Sequence, residues 1–289
     1  MKSNLNSKEE RKILVHFIKE KQNKEEISKD RRKYLKEIKL RKIKIMFTQI
    51  VILFAIISLW ELCANMGKID SFITSQPSRI LKTFANLSNN NLLEHLKITC
   101  AETLIGFTIG SIAGTLIAII LWWFPFVSKV SEPFLVVLNS LPKTALGPII
   151  IIWVGAGMPA IIVMALAISL IVTILNILNG FLETDKEKIK MARTFKATRA
   201  QILTKIIIPA NLQTFFNTLK MNIGLSLVGV ITGEFLVSKG GLGYLIVYGG
   251  QVFQLDLVMT SVIILAIVAA LMYEAIIVAE KIVMKNKRI

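Results

Sequence analysis

Apolar residues gather into six long runs, near residues 45–65, 98–124, 132–154, 158–182, 212–237 and 257–284. Each holds about 20 residues or more, enough to cross the hydrocarbon core of a bilayer as an α-helix. The pattern predicts an all-α integral membrane protein with about six transmembrane helices in residues 45–289. Two runs carry internal marks. Gly106, Gly110 and Gly114 recur at four-residue intervals and offer a face that another backbone can approach closely. The 132–154 run contains Asn139, Ser140, Pro142, Lys143 and Pro148, which predicts a span kinked or broken within the membrane.

The polar segments between the runs set orientation. Residues 67–97 are turn-rich with few basic residues, and residues 238–255 are glycine-rich; both are expected outside. Residues 183–211 carry Lys186, Lys188, Lys190, Arg193, Lys196, Arg199 and Lys205, and the chain ends in Lys285, Lys287 and Arg288. Basic residues collect on the cytoplasmic side, so both termini and the 183–211 segment are expected there. Residues 1–44 form a basic extension expected to be a cytoplasmic helix. Its cluster Lys39, Arg41, Lys42 and Lys44 suits membrane lipid of anionic type, and a solvated retention signal is the other reading. The first run follows a long charged segment and is closed by no small-x-small cleavage site, so it is expected to stay as an anchor.

Composition agrees: 54% of residues are hydrophobic and the mean hydropathy is +0.62, more apolar surface than one soluble core needs. The formal charge of +16 sits at the ends and between apolar runs, without aromatic interleaving, and points to topology rather than nucleic acid. Cys63 and Cys100 fall in or beside apolar segments and read as small apolar residues. The sequence contains no phosphate-cradling G-x-x-x-x-G-K-[S/T] loop and no nucleophile or metal-ligand cluster, so it calls for no cofactor, no metal and no catalytic residue. An enzyme is not expected, and any ATP energy has to come from a partner chain.

Ionisable side chains inside spans are costly and mark sites. Glu234, between Gly233 and Phe235, is one such residue, with a structural or gating role favoured. Lys143 with Asn139 and Ser140 forms a patch that suits an anionic solute in a translocation path; snorkelling or an ion pair is the equal alternative. Glu102 suits a helix–helix hydrogen bond.

Between the fourth and fifth runs, residues 190–209 place Ile202, Leu203, Ile206 and Ile207 at helical spacing among Arg193, Lys196, Arg199 and Lys205. From the residues alone this is either an interfacial docking helix or a basic loop that fixes topology. The segment resembles the EAA loop of bacterial ATP-binding-cassette (ABC) importer permeases. Lys190, Met191 and Ala192 stand at E-A-A, Lys196 at the glycine, and Ile206, Ile208 and Pro209 at I-x-L-P. The similarity extends over some two hundred residues, through Gln76-Pro77-Ser78, His95, Gly106-Phe107, Leu141-Pro142, Ile152-Trp153-Val154-Gly155, Gly233-Glu234-Phe235 and Gly240-Gly241-Leu242-Gly243-Tyr244. It is similar to the sulfonate, taurine and nitrate branch of that family.

The resemblance implies a transmembrane subunit of an ABC importer in the bacterial cell membrane. Two ATPase subunits would sit inside, a solute-binding protein outside, and a second copy of the permease would complete a homodimer. It implies that Ala192, Arg193, Thr194, Phe195, Lys196 and Ala197 touch the ATPase, with Phe195 as apolar anchor, and that Pro209 ends the following helical run. Lys196 at a glycine position would strain a left-handed turn by about 1 kcal/mol. Permeases of this kind carry sulfonates, taurine, nitrate-like anions and thiamine-precursor pyrimidines. A self-sufficient channel or secondary transporter for a small anion is the alternative.

Overall fold

The computed structural model describes residues 3–89 and 91–285, with side chains at residue 31 and over 33–86 and 91–285. Lys287 and Arg288 lie outside the described residues, as do the side chains before residue 31. Two compact units are present, Met1–Lys68 and Ile69–Ile289. The first is one helix, α1 (Ser3–Asn65), in which the basic extension runs without a break into the apolar stretch. Its part Lys33–Asn65 is long and apolar enough to span, and Phe47, Phe54 and Leu59 are exposed along it.

The second unit is built on α4 (Leu92–Trp123), α7 (Met158–Leu182) and α11 (Leu212–Val237). Small residues bring these helices together from both sides of α7. A Cβ on Gly106, Gly110 or Gly114 of α4 would lie 2.7–2.8 Å from Ala165, Ser169 or Thr173 of α7. Gly229 and Gly233 of α11 abut the backbone of Ala165 and Ile161 in the same way. The four-residue glycine stripe is therefore a packing face, and dispersion contacts along such close backbones are what hold helices together in lipid. The hydroxyls of Ser169 and Thr173 are satisfied within α7 by the carbonyls of Ala165 and Ser169, both at 2.8 Å.

The 132–154 run is broken, as its prolines predict. α5 (Pro125–Ser140) stops before Pro142, a 3-10 turn Lys143–Leu146 follows, and α6 (Gly147–Val154) leaves at 86° to α5. Together with α1, α4, α7, α11 and α13 (Leu255–Lys285) the described residues give five apolar spans, or six when the bent pair counts as one.

Two connections differ from expectation. Residues 67–97 are not simply turns: they hold α2 (Ser71–Thr74), α3 (Pro77–Asn89) and the first turn of α4, which starts at Leu92 because Leu92 is buried and Asn91 takes the left-handed geometry (φ 61°) that begins it. The glycine-rich 238–255 loop contains α12 (Leu242–Gln251), whose Leu242 and Leu245 join Leu92, Leu257 and Ile264 in one apolar cluster. Three-residue and four-residue spacing of Leu242, Leu245 and Gly249 carries that helix, and the glycines mask it in the sequence.

Candidate functional site

The 183–211 segment is a series of short helical pieces. Asp185 caps α8 (Lys186–Thr194) by accepting from the Glu187 N–H at 2.9 Å. Ala192 faces inward, 8% exposed, and joins Phe181, Leu121 and Ile202 in a core that seats the loop on the ends of α4 and α7. α8 ends in a Schellman motif: the Lys196 N–H donates to Arg193 O at 2.9 Å and the Ala197 N–H to Ala192 O at 3.0 Å, with Lys196 at φ 56°. Lys196 thus occupies the left-handed position itself, where glycine costs nothing and a Cβ does.

Thr198 and Gln201 then form a capping box that starts α9 (Arg199–Ile202). Arg199 donates to Trp123 O at 3.0 Å and ties the loop to the end of α4. A π turn, Leu203–Ile207, buries Leu203 and Ile207. The run continues through Pro209 as α10 (Ile208–Ala210) and stops one residue later, at the Asn211 turn, whose N–H donates to Ile207 O at 3.0 Å before α11 begins.

On this buried base Phe195 is 78% exposed and Met191 59% exposed. They stand four residues apart, the spacing that puts two side chains on one helix face. Arg193 and Thr194 are exposed beside it, while Ala197 is half-buried. Met191 was not singled out as a contact in the sequence; its spacing from Phe195 is the signal that could have found it.

Glu234 lies at the other end of α11, 1% exposed, and faces protein rather than a cavity. It accepts from Thr99 Oγ1 at 2.6 Å and from the Gly243 N–H at 2.5 Å. The Tyr244 N–H and the Glu102 carboxyl also reach it. A carboxylate held by the first N–H groups of α12 is a favourable helix N-terminus arrangement. Thr99 Oγ1 accepts in turn from the Leu242 N–H at 2.8 Å, and His95 Nδ1 from the Gly241 N–H at 3.0 Å. A Cβ on Gly243 would sit 2.7 Å from Glu234 Oε2, so the carboxylate needs that glycine. This latch ties α4, α11 and α12 together, and Thr99 is a member that sequence spacing did not reveal.

Asn139, Ser140 and Lys143 satisfy themselves locally. Lys143 Nζ donates to Asn139 O at 2.7 Å and Ser140 Oγ to Val136 O at 3.0 Å, closing the end of α5. Their hydrogen bonds join them to neither Glu234 nor the 183–211 loop.

A feature absent from the sequence reading is a cleft of about 480 Å³ between the ends of α7 and α11 next to Asp185 and Lys188. Asn176 and Asn179 line it from α7, Thr214, Asn217 and Thr218 from α11. Three- and four-residue spacing of amides and hydroxyls within apolar runs is the signal that marks it.

The comparisons with known proteins agree with this architecture. Residues 106–287 match the family described as binding-protein-dependent transport system inner membrane component. The chain is 26% identical over 217 residues to the putative aliphatic sulfonates transport permease protein SsuC of Bacillus subtilis, covering 75% of this chain and 79% of that one. It is 26% identical over 187 residues to the formylaminopyrimidine transport permease protein ThiX of Halalkalibacterium halodurans, covering 64% and 74%. Among solved structures, the MetNI methionine ABC transporter in inward-facing conformations superposes with a TM-score of 0.60 at 20% identity, covering 66% of this chain and 95% of that one, a likeness of fold. The chain belongs to the binding-protein-dependent transport system inner membrane component family and is a transmembrane permease subunit of an ABC importer.

Proposed function

We propose that the 183–211 segment faces the cytoplasm and is the surface through which a separate ATPase subunit drives this permease. The carrying observation is the contrast within one short helix: Ala192 is buried at 8%, whereas Phe195 and Met191 stand 78% and 59% exposed. A large apolar pair on a rigid, capped base is the composition of an interface anchor, since aromatic and Met side chains supply most of the contact energy in such surfaces. Arg193, Thr194 and Lys196 give the patch a polar and basic rim, and Ala197 and Pro209 hold its geometry. Both termini lie on the same side as this loop, because basic residues flank it and the two chain ends.

In this reading the solute is delivered by an external binding protein to the glycine-loop end, and two copies of the chain enclose the path. Relatives named for aliphatic sulfonates and for formylaminopyrimidine bound the range of small nutrients. Anionic membrane lipid meets Lys39, Arg41, Lys42 and Lys44, all exposed. The test is Phe195→Asp in the full chain. It should insert and keep its oligomeric state yet lose co-purification of the ATPase by at least about tenfold, as removal of an interface anchor predicts. Undiminished association would remove the loop from the interface.

A further inference from the structure

Polar side chains inside spans face protein partners or water, and those that face water mark solute paths. The cleft between α7 and α11 fits the second case. Asn176 reaches only Met221 Sδ, at 3.8 Å, and Asn217 Oδ1 has only Gln213 and Lys220 nitrogens at 3.4 Å. Their hydrogen-bonding capacity is largely unspent. Asn211 differs, with its amide committed to Thr184 Oγ1 at 2.7 Å and Ile207 O at 2.9 Å. Gly180 allows the stripes to converge, since a Cβ there would lie 2.9 Å from both Asn211 and Thr214.

Charge around the cleft disfavours anions. Among its described lining residues Lys188 is the one cation, and Asp185 stands 3.8 Å from it, while Glu183 adds a second carboxylate. Lys220, one turn along α11, is held by Glu280 at 2.6 Å. An anion leaving water needs charge compensation, which this lining does not supply, whereas amides and hydroxyls can match both donors and acceptors of a neutral polar molecule. A volume of about 480 Å³ suits a small ligand, within the range of about 300–1,000 Å³ usual for such sites.

We propose that this cleft is the inner vestibule of the solute path, and that it passes a small uncharged solute rich in hydrogen-bond donors and acceptors rather than a sulfonate-like anion. This rests on the permease reading and adds the class of solute to it.

The experiment uses the full chain reconstituted with the ATPase and binding protein that co-purify with it, and follows ATP-driven uptake of two probes, formylaminopyrimidine and ethanesulfonate. Uptake of the pyrimidine alone is expected, falling about tenfold in the Asn176→Leu, Asn217→Leu double variant, as the loss of two hydrogen bonds predicts, with ATPase association intact. Uptake of ethanesulfonate, or of neither probe, overturns the solute class. Wild-type pyrimidine uptake by the double variant overturns the vestibule. Each of these leaves the permease reading standing, because that is read separately, from ATP hydrolysis stimulated by the loaded binding protein.

Discussion

The two ends of α11 are built on opposite principles. At the glycine-loop end Glu234 is 1% exposed and its carboxylate is held by a Thr hydroxyl, N–H groups of α12 and the Glu102 carboxyl. At the basic end Asn217 and Met221 are exposed and the neighbouring Asn176 amide is nearly free. Buried polar groups that are fully partnered rigidify, and open ones leave capacity for a ligand. One helix thus joins a latch to a vestibule, and the glycines at 229 and 233, just before Glu234, press its latched end on α7.

The largest effect should come from breaking the latch. Glu234→Ala leaves Thr99 Oγ1 and the α12 N–H groups without their acceptor and is expected to cost about 3 kcal/mol, read as a drop in the thermal midpoint in detergent. Thr99→Val removes one donor to Glu234 and one acceptor for Leu242, at about 2 kcal/mol by the same measurement. The vestibule should respond differently: Asn217→Leu is expected to shift the midpoint by less than about 0.5 kcal/mol while lowering uptake. If Asn217→Leu unfolds the protein as Glu234→Ala does, the contrast between the ends is lost. The smallest effect is at the loop beyond the basic end, where Lys196→Gly relieves the left-handed strain and should stabilise by about 0.5–1 kcal/mol, with Lys196→Ala neutral by comparison.

Legibility in the sequence followed the range of the interactions. The spans were legible because apolar runs of bilayer length have one use, and the break near Pro142 because proline removes a donor and clashes with the preceding turn. Gly106, Gly110 and Gly114 announced a packing face, though not that α7 would fill it. Glu234 stood out as a carboxylate in an apolar run, but its partner Thr99 lies 135 positions away in the chain, and no local spacing encodes such a meeting. The α12 helix was hidden by glycines that serve Glu234 rather than flexibility. The cleft amides Asn176 and Asn217 carry no signal singly, and only their facing stripes give them meaning.

Thiol labelling reports the asymmetry of α11 most directly. With Cys63 and Cys100 replaced by alanine, single cysteines at Asn217 and Val230 would be exposed to a membrane-impermeant maleimide from the basic side in reconstituted vesicles. Cysteine at 217 should label rapidly and cysteine at 230, where Val is 0% exposed, should resist until the protein is denatured. Equal labelling at both positions, or protection at 217, would contradict the account of a latched end and an open one.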